Sequence, residues 1–332
     1  MVSQLRKQKR ITARPVENWK TVGWQGITSR VPAGWNLVAF GGDHDAGSFR
    51  LDNGALDSGR VLGMEVRWAQ AGRKFASKQI DQRLTSYLTS IEKSAQKQKV
   101  AAETDSESVD CDEADGRTDE RVFSWRSDRK GAGRIWHCST CGRVVIAQVV
   151  GGKSDDLATL ELAAIGEMRC HRQDWENWCL YDLSTAIPTD FTLHAKPQLM
   201  NVYVQLSFNR GRSTDLLTVE QWGVAEVQLR GQNLKDWFDR KSDLASSGVG
   251  VRSTETEKDG HEAFSLSGRR GGITYWMGTA LKQLFRLQKP ATWYKGLLWH
   301  CPESNKIFLV QLYSRTQDTG TLDEIVRRTV CH

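Results

Sequence analysis

Two short segments with the same side-chain chemistry occur in the two halves of the chain. In the first half, Trp136-His137-Cys138 precedes Cys170-His171 by about thirty residues. In the second half, Trp299-His300-Cys301 precedes Cys331-His332 by nearly the same interval. Thiols and imidazoles at such spacing can bind zinc, form disulfides or pack as buried thiols, and each use requires the paired segments to meet in the fold.

The zinc interpretation gives the two halves unequal sets of ligands. The spacing Cys138-x-x-Cys141 is common in zinc sites, whereas Ser304 stands in the place of Cys141 in the second half. The first half offers four candidate ligands: Cys138, Cys141, Cys170 and His171. The second half offers three, with His300 as a conditional fourth: Cys301, Cys331 and His332. A site with three protein ligands would leave a position for water, as catalytic zinc does.

Two other interpretations of the same cysteines stay open. Disulfides within each half would close loops of roughly thirty residues and contribute about 3 kcal/mol each. Buried thiols that pack as small apolar groups need no ligand at all. The chain has 7 cysteines, an odd number, and its N-terminus lacks the apolar core of a secretory signal. This usage favours thiols, a reducing compartment and a cytoplasmic location.

Strand geometry decides which of these side chains can meet. Successive residues of a strand point to opposite faces of a sheet, so Trp136 and Cys138 share one face and His137 points to the other. A helix that packs over the first face at the end of the repeat would bring Cys170 to Cys138. We expect the second half to repeat this arrangement.

Three blocks recur in the same order, which indicates an internal duplication. The matched pairs are 27–37 with 183–193, 64–68 with 225–229, and 136–149 with 299–312. We therefore expect two tandem repeats, residues 18–171 and 172–332, after a basic tail of residues 1–17.

Hydrophobic periodicity predicts the same elements in each half. Alternation with period two predicts strands at 47–52, 62–69, 122–126, 202–208, 224–230 and 263–267, and at the segments that begin with Trp-His-Cys. Helical spacing of apolar residues predicts helices at 79–93, 155–169, 234–245 and 322–330. The predicted fold class is α+β, with two repeats that each contain an antiparallel β-sheet and two helices packed on it.

Two insertions distinguish the halves. Residues 94–121 are polar and acidic, and we expect them to be disordered. Between Glu103 and Glu120 there are nine carboxylates against Arg117 alone, a local charge of −8 that leaves +14 on the rest of a chain with net charge +6. Residues 268–295 combine basic and apolar side chains. A body with this charge could bind a polyanion such as nucleic acid.

The element order, together with the turn Val31-Pro32-Ala33-Gly34-Trp35, resembles the PsbP-type α/β fold. Oxygen-evolving-complex proteins and small Ran-binding proteins share that fold. The resemblance covers both halves and implies a binding module rather than an enzyme. The family pattern contains no His-Cys…Cys-His tetrad, so no functional residue is carried over from it.

The sequence contains no familiar catalytic motif, including Gly-x-Ser-x-Gly, the P-loop and His-Glu-x-x-His. No stretch approaches the roughly 18 to 20 apolar residues that span a bilayer. We expect a soluble, non-catalytic binding or scaffold protein, with a protein as its partner. The alternatives are a zinc- or thiol-dependent enzyme at the first tetrad and a polyanion binder. The sequence does not predict an oligomeric state.

Overall fold

A computed structural model of the chain describes residues 18–54, 62–72, 75–109, 116–171, 174–200, 202–242, 249–270, 291–317 and 320–332. The chain divides into two compact units, Met1–Gln173 (unit 1) and Asp174–His332 (unit 2). The predicted basic tail and residues 271–290 of the second insertion lie outside the described residues. Within these described ranges, no helix combines the length and the apolar character needed to cross a membrane.

Unit 1 is built mainly from antiparallel strands. Its described strands are β1 (Trp19–Trp24), β2 (Ile27–Pro32), β3 (Asn36–Gly42), β4 (Ala46–Asp52), β5 (Gly63–Gln70), β6 (Glu103–Ser108), β7 (Arg117–Arg126), β8 (Lys130–Cys138) and β9 (Arg143–Gly151). Its helices are α1 (Lys78–Lys97) and α2 (Leu157–Glu161), and α2 continues as a π-helical turn at Leu162–Gly166. The sheet has the order β3-β4-β5-β9-β8-β7-β6, and β1 pairs with β2 as a hairpin.

The two faces of the unit 1 sheet are covered by different helices. Helix α1 packs on one face through apolar residues at helical spacing, and the contacts form one buried cluster: Ile80, Leu84, Leu88, Phe123, Ile135 and Val144. Helix α2 packs on the other face against β8 and β9. Because side chains of β8 alternate between the faces, Trp136 and Cys138 point toward α2.

Unit 2 contains a second antiparallel sheet. Its described strands are β10 (Trp175–Leu180), β11 (Leu183–Pro188), β12 (Phe191–Leu193), β13 (Gln198–Met200), β14 (Tyr203–Arg210), β15 (Leu216–Gly223), β16 (Val249–Lys258), β17 (His261–Arg270), β18 (Trp293–Cys301) and β19 (Lys306–Ser314). Its helices are α3 (Ala225–Leu229), α4 (Leu234–Lys241) and α5 (Thr321–Arg327). The sheet has the order β12-β14-β15-β19-β18-β17-β16, with β13 paired to β14, and β10 and β11 form a hairpin.

One face of the unit 2 sheet packs against α3 and α4. The buried cluster there contains Ala225, Leu234, Trp237, Phe238, Phe264, Leu266, Tyr294, Leu298, Ile307 and Leu309. Helix α5 contacts β18 and β19, as well as β11 of the hairpin. The predicted α+β class with antiparallel sheets is confirmed. The prediction of two helices per sheet is wrong, because the described residues contain five α-helices rather than four.

The extra helix replaces a predicted strand. Residues 224–230 were expected to form a strand, but β15 already ends at Gly223 and α3 follows it. Val224 adopts left-handed dihedral angles, φ 55° and ψ 52°, which turn the chain out of the sheet. Ala225 is buried and Val227 is 60% exposed, a pattern that a short helix packed on one face of the sheet satisfies. The alignment of 64–68 with 225–229 is therefore wrong, since 64–68 lie in strand β5.

The acidic insertion is ordered where the structure describes it. Residues 94–97 belong to α1, residues 103–108 form β6, and β7 begins at Arg117. Cross-strand pairs place Glu103 opposite Arg126, and Ser108 opposite Arg121. The expected disorder of 94–121 is wrong for these residues, because β6 pairs with β7 along its whole length and Arg126 lies opposite Glu103. Residues 110–115 lie outside the described residues.

The closing helix of unit 1 is shorter than predicted. Residues 155–169 were expected to form one helix, whereas α2 covers five residues and the π-helical turn ends at Gly166. Asp156 begins the helix, and its side chain accepts a hydrogen bond from the backbone N–H of Thr159. After this early end the chain turns at Glu167, and Arg169 pairs with Thr28, so that Cys170 reaches the end of β8.

Candidate metal centres

In unit 1, strand β8 ends at the first candidate ligand. Trp136 and Cys138 are both 0% exposed, on the face that α2 covers. His137 lies on the opposite face, where its ring stacks on Phe75 with centroids 4.1 Å apart and its Nδ1 lies 3.0 Å from Thr118 Oγ1. Burial lowers the pKa of His137. The alternation of the strand therefore separates His137 from the neighbouring thiol, as the sequence predicts.

The turn between β8 and β9 returns a second thiol to the first. The backbone N–H of Gly142 donates to the carbonyl of Cys138 at 2.8 Å. Gly142 has φ 69°, a left-handed conformation that glycine adopts without strain. The Sγ atom of Cys141 donates to the carbonyl of Cys170 at 3.2 Å. The Cys-x-x-Cys spacing thus forms a tight turn whose two sulfurs face the end of the closing segment.

Backbone pairing with the first hairpin positions the third thiol. Arg169 and Thr28 exchange two hydrogen bonds, at 2.8 and 2.9 Å. The next residue, Cys170, is buried, and the indole Nε1 of Trp136 donates to its Sγ at 3.4 Å. A pairing across the whole unit therefore fixes where this sulfur lies.

A buried arginine holds the last turn of the closing segment. Arg117 donates through Nη2 to the carbonyls of Ile165, at 2.8 Å, and Met168. Its guanidinium lies over the ring of Trp136, 4.2 Å from the centroid, and its Nη1 lies 3.1 Å from Glu120 Oε1. These contacts satisfy two carbonyls at the end of the closing helix, the second of them two residues before Cys170. They also connect this end of the helix to β7 and β8.

The charge of Arg117 belongs to a balanced network. Glu120 Oε1 also lies 3.2 Å from Nη1 of Arg134, and Arg134 in turn pairs with Glu161 of α2. Each of these four side chains is at most 15% exposed. Two arginines and two glutamates therefore satisfy one another between the sheet and α2, since buried charges are stable only when they are paired.

Three sulfurs converge at the end of β8, and one imidazole lies beside them. The sulfur atoms of Cys138, Cys141 and Cys170 all lie within 4.8 Å of one another. The Nδ1 atom of His171 lies 3.7 Å from Cys138 Sγ. The three cysteines that the sequence names in this half are thus brought to one place, and His171, the fourth candidate, lies beside Cys138 but outside the set whose ligand atoms are all within 4.8 Å of one another.

The three thiols of unit 1 have their pKa values shifted in different directions. Hydrogen bonds from Cys141 and Cys170 lower the pKa of Cys138 well below its usual range. The same interaction with Cys138 raises the pKa of Cys170 and that of Cys141, and burial raises both further. A sulfur that is stabilised as a thiolate by two neighbouring thiols is suited to bind a cation.

In unit 2, strand β18 and the closing segment bring the corresponding residues together. Trp299 and Cys301 are 0% exposed. The backbone N–H of Val330 donates to the carbonyl of Ser184 at 2.9 Å, which places Cys331 beside the end of β18. His300 points to the other face of the sheet, and burial lowers its pKa. The conditional fourth ligand in this half is therefore not His300.

The sulfurs of unit 2 meet at one imidazole. Cys301 Sγ and Cys331 Sγ each lie 3.4 Å from Nδ1 of His332. Burial, together with the hydrogen bond and charge of Cys301, raises the pKa of Cys331 to about 11. The three ligands predicted for this half are thus in mutual contact.

A histidine that the sequence analysis did not assign completes the second set. His261 begins β17, directly after the turn Asp259-Gly260, and is only 6% exposed. Its ligand atom and those of Cys301, Cys331 and His332 all lie within 4.8 Å of one another. Its Nδ1 lies 3.5 Å from Glu303 Oε2, while its Nε2 is buried without a hydrogen-bond partner. An imidazole with one nitrogen at a carboxylate and the other unsatisfied matches the geometry of metal-binding histidines.

The pairing of β17 with β18 is the feature that identifies His261 as a neighbour of Cys301. Strand β17 pairs with β18 so that Ala263 lies opposite Trp299, and two residues further the register places His261 opposite Cys301. The same register in unit 1 places Arg117 opposite Cys138. Pairing the strand before each Trp-His-Cys with that segment would have identified His261, whereas a search for spacing along the chain did not.

Both donor sets suit a tetrahedral ion. Zinc holds four ligands with Zn–S distances of about 2.3 Å, so ligand atoms around it are separated by about 3.8 Å. The four donor atoms of the unit 2 cluster, and the three sulfurs of the unit 1 cluster, lie within 4.8 Å of one another and need only a small contraction to reach this spacing. In unit 1, His171 would have to move closer to the other two sulfurs to become the fourth ligand. The six described cysteines are free thiols, and Cys179 belongs to neither cluster; its Sγ lies 3.5 Å from Ser184 Oγ. A search of protein-family models and a search of curated proteins each find no match to this chain.

Proposed function

We propose that this chain is a non-catalytic binding or scaffold protein made of two copies of one α+β unit, each closed by a structural zinc ion. The observation that carries the proposal is the cluster of unit 2: His261, Cys301, Cys331 and His332. Three of these residues are buried, and an unsatisfied imidazole nitrogen lies among them. The convergence of two thiols and two imidazoles within 4.8 Å of one another, rather than the unsatisfied nitrogen alone, distinguishes His261 from His300, whose Nε2 is also without a hydrogen-bond partner but lies on the other face of the sheet.

The sheet orders support the duplication. In unit 1 the order is β3-β4-β5-β9-β8-β7-β6, and in unit 2 it is β12-β14-β15-β19-β18-β17-β16. The two orders correspond strand for strand, with β13 as an addition in unit 2. Each sheet follows a hairpin and precedes a closing helix, and each cluster lies where that helix ends beside the central Trp-x-Cys strand. This element order also underlies the PsbP-like resemblance, which favours a binding module.

A structural role follows from the number of donors. Four protein ligands saturate a tetrahedral ion, whereas a catalytic zinc keeps one position for water. In both units an ion would join the end of the last hairpin to the chain segment after the closing helix. The enzyme alternative requires that one donor leave the ion, and a buried thiolate such as Cys138, 0% exposed, is poorly placed to meet a substrate. Free thiols as zinc ligands also suit a reducing compartment such as the cytoplasm.

A protein partner is supported by an exposed apolar surface in unit 2. Met200, Val202, Val224 and Val227 are between 45% and 60% exposed. The backbone N–H of Gly223 donates to the carbonyl of Val202 at 2.9 Å, so the two valine-containing segments are adjacent. Contiguous exposed apolar side chains are typical of protein interaction sites.

The test is elemental analysis of the purified full chain combined with thiol titration. We expect two zinc ions per chain, and we expect the cluster thiols to react with a thiol reagent only after a chelator is added. Cys301→Ser should reduce the content to one zinc. Cys179→Ser, a buried cysteine outside both clusters, is the matched control and should keep two. A folded wild-type protein that contains no zinc and cannot be loaded with it would contradict the proposal.

A second candidate function, the binding of a polyanion, is favoured by one cavity of unit 2. The cavity has a volume of about 570 Å³ and is lined by residues of β16, β17 and β18. Its lining includes Arg252, Arg269, Lys295 and Trp293, with the Arg269 guanidinium 5.1 Å from the Trp293 ring centroid. Lys295 is partly neutralised by Asp323 at 2.8 Å. Binding of a fluorescent single-stranded oligonucleotide that weakens steeply with salt, and that Arg252→Ala reduces, would support this function.

A further inference from the structure

The two clusters differ in one donor, and the exchange is reciprocal. Unit 1 takes its fourth donor, Cys141, from the turn after β8, where unit 2 has Ser304. Unit 2 takes its fourth donor, His261, from the start of β17, where unit 1 has Arg117. The remaining three donors are equivalent in the two units. The clusters therefore offer three sulfurs and one nitrogen in unit 1, and two sulfurs and two nitrogens in unit 2.

Neither unit can adopt the donor set of the other with its present residues. Arg117 is occupied by Glu120, by the carbonyls of Ile165 and Met168, and by the Trp136 ring, so its position offers no ligand. The hydroxyl of Ser304 is buried without a hydrogen-bond partner, and a neutral hydroxyl is a poor substitute for a thiolate. The difference in donors is thus built into the two surroundings.

The two donor sets would form complexes that differ in net charge and in their preference for soft ions. Three thiolates around a divalent ion leave a net charge of −1, whereas two thiolates leave the complex neutral. Thiolate ligands favour soft d¹⁰ ions, and imidazole suits zinc. The cluster with more sulfur should therefore hold a soft ion more tightly, relative to zinc, than the cluster with more nitrogen.

Resting on the proposed zinc function, we propose that the unit 1 cluster is a site selective for soft thiophilic cations, whereas the unit 2 cluster retains zinc. When both are loaded with zinc and a soft ion is added, the soft ion replaces zinc in unit 1 first. The chain would then carry two different metals, one in each unit.

The experiment is a titration of the zinc-loaded full chain with Cd²⁺. Released zinc is measured with a colorimetric indicator, and the cadmium environments are resolved by ¹¹³Cd NMR. We expect the first equivalent of Cd²⁺ to release one zinc and to give one resonance in the range of three-sulfur sites. The second equivalent should enter a two-sulfur site at a distinctly higher Cd²⁺ concentration.

Two variants assign the resonances and test the cause. Cys141→Ser should remove the first, tighter exchange and leave the second unchanged. Ser304→Cys should shift the unit 2 resonance toward the three-sulfur range and bring its exchange forward, and it keeps the proposal testable if Cys141→Ser fails to fold. If Cd²⁺ replaces zinc equally in both clusters of the wild-type chain, or if Ser304→Cys leaves the order of exchange unchanged, the proposed selectivity is wrong while the proposed zinc function stands. A wild-type chain that binds neither zinc nor cadmium would overturn the proposed function as well.

Discussion

Replacement of Arg117 by methionine tests whether the unit 1 cluster depends on the residues that surround it. Arg117 binds no ion itself, but it holds the carbonyls of Ile165 and Met168 just before Cys170. Methionine keeps much of the apolar volume and removes the charge and every donor. The closing segment would lose these hydrogen bonds to β7, while all the candidate metal ligands of unit 1 would remain.

The expected cost follows from the burial of the charged network. Arg117 and Glu120 have side chains that are 8% and 6% exposed, and removal of Arg117 leaves the network with one arginine and two carboxylates. Breaking such a buried pair costs about 3–5 kcal/mol. Loss of a residue that positions a metal ligand reduces metal affinity about 10- to 100-fold. We expect both effects in unit 1 and neither in unit 2.

The assay is urea unfolding of the zinc-loaded full chain by circular dichroism, together with competition for zinc by a chelator. Arg121→Met is the matched control, because Arg121 lies in the same strand and pairs at 2.9 Å with Asp81, whose side chain is 57% exposed. Such a pair contributes about 0–1 kcal/mol. If Arg117→Met and Arg121→Met lose similar stability, or if both zinc ions of Arg117→Met keep wild-type affinity, the reasoning about the network is refuted.

Four further outcomes are expected. His261→Ala should reduce the zinc content from two ions to one, as measured by elemental analysis, and His300→Ala should leave it at two. Chelation should lower the melting temperature, and added zinc should restore it, because ion binding stabilises the folded state. Burial raises the pKa of Glu220, so the folded protein binds this proton more tightly than the unfolded chain does. The free energy of unfolding should therefore fall as pH rises from about 4 toward neutral. Glu220→Gln should make this fall smaller, as measured by the urea midpoint at each pH. Val224→Asn should raise the free energy of unfolding by about 1 kcal/mol, because asparagine tolerates the left-handed conformation at this exposed position, whereas Val227→Asn should change it little.

Periodicity predicted the elements whose apolar pattern fits only one structure. Residues 79–93 carry Ile80, Leu84 and Leu88 at helical spacing, and these side chains form the buried face of α1. Residues 224–230 misled the prediction because Ala-Glu-Val-Gln-Leu alternates like a strand and also fits a helical turn. The left-handed conformation of Val224, which decides between them, is one that a β-branched residue rarely adopts.

The candidate centres were predictable only in part for a related reason. Cys138 and Cys170 stand out because Cys301 and Cys331 repeat them 163 and 161 residues later. Strand alternation correctly separated His137 from these thiols. His261 has no repeated partner, since Arg117 holds the corresponding position, so repetition could not reveal it. Composition likewise predicted disorder for the acidic insertion, because it counts charges without the backbone pairing of β6 with β7 that orders residues 103–108.

Each unit joins its beginning to its end. The hydroxyl of Ser29 donates to the carbonyl of Ala164, 135 residues later, and the hydroxyls of Thr185 and Thr329 meet across 144 residues. Contacts of such long range form slowly, because the chain must close a large loop before they stabilise anything. During synthesis, the sulfur cluster of unit 1 cannot assemble until Cys170 has left the ribosome, by which time the β1–β2 hairpin must still be available to receive the segment before it. A newly made unit therefore exposes its thiols until its last segment docks, and if the cluster binds the proposed ion, it can do so only at this final step of folding.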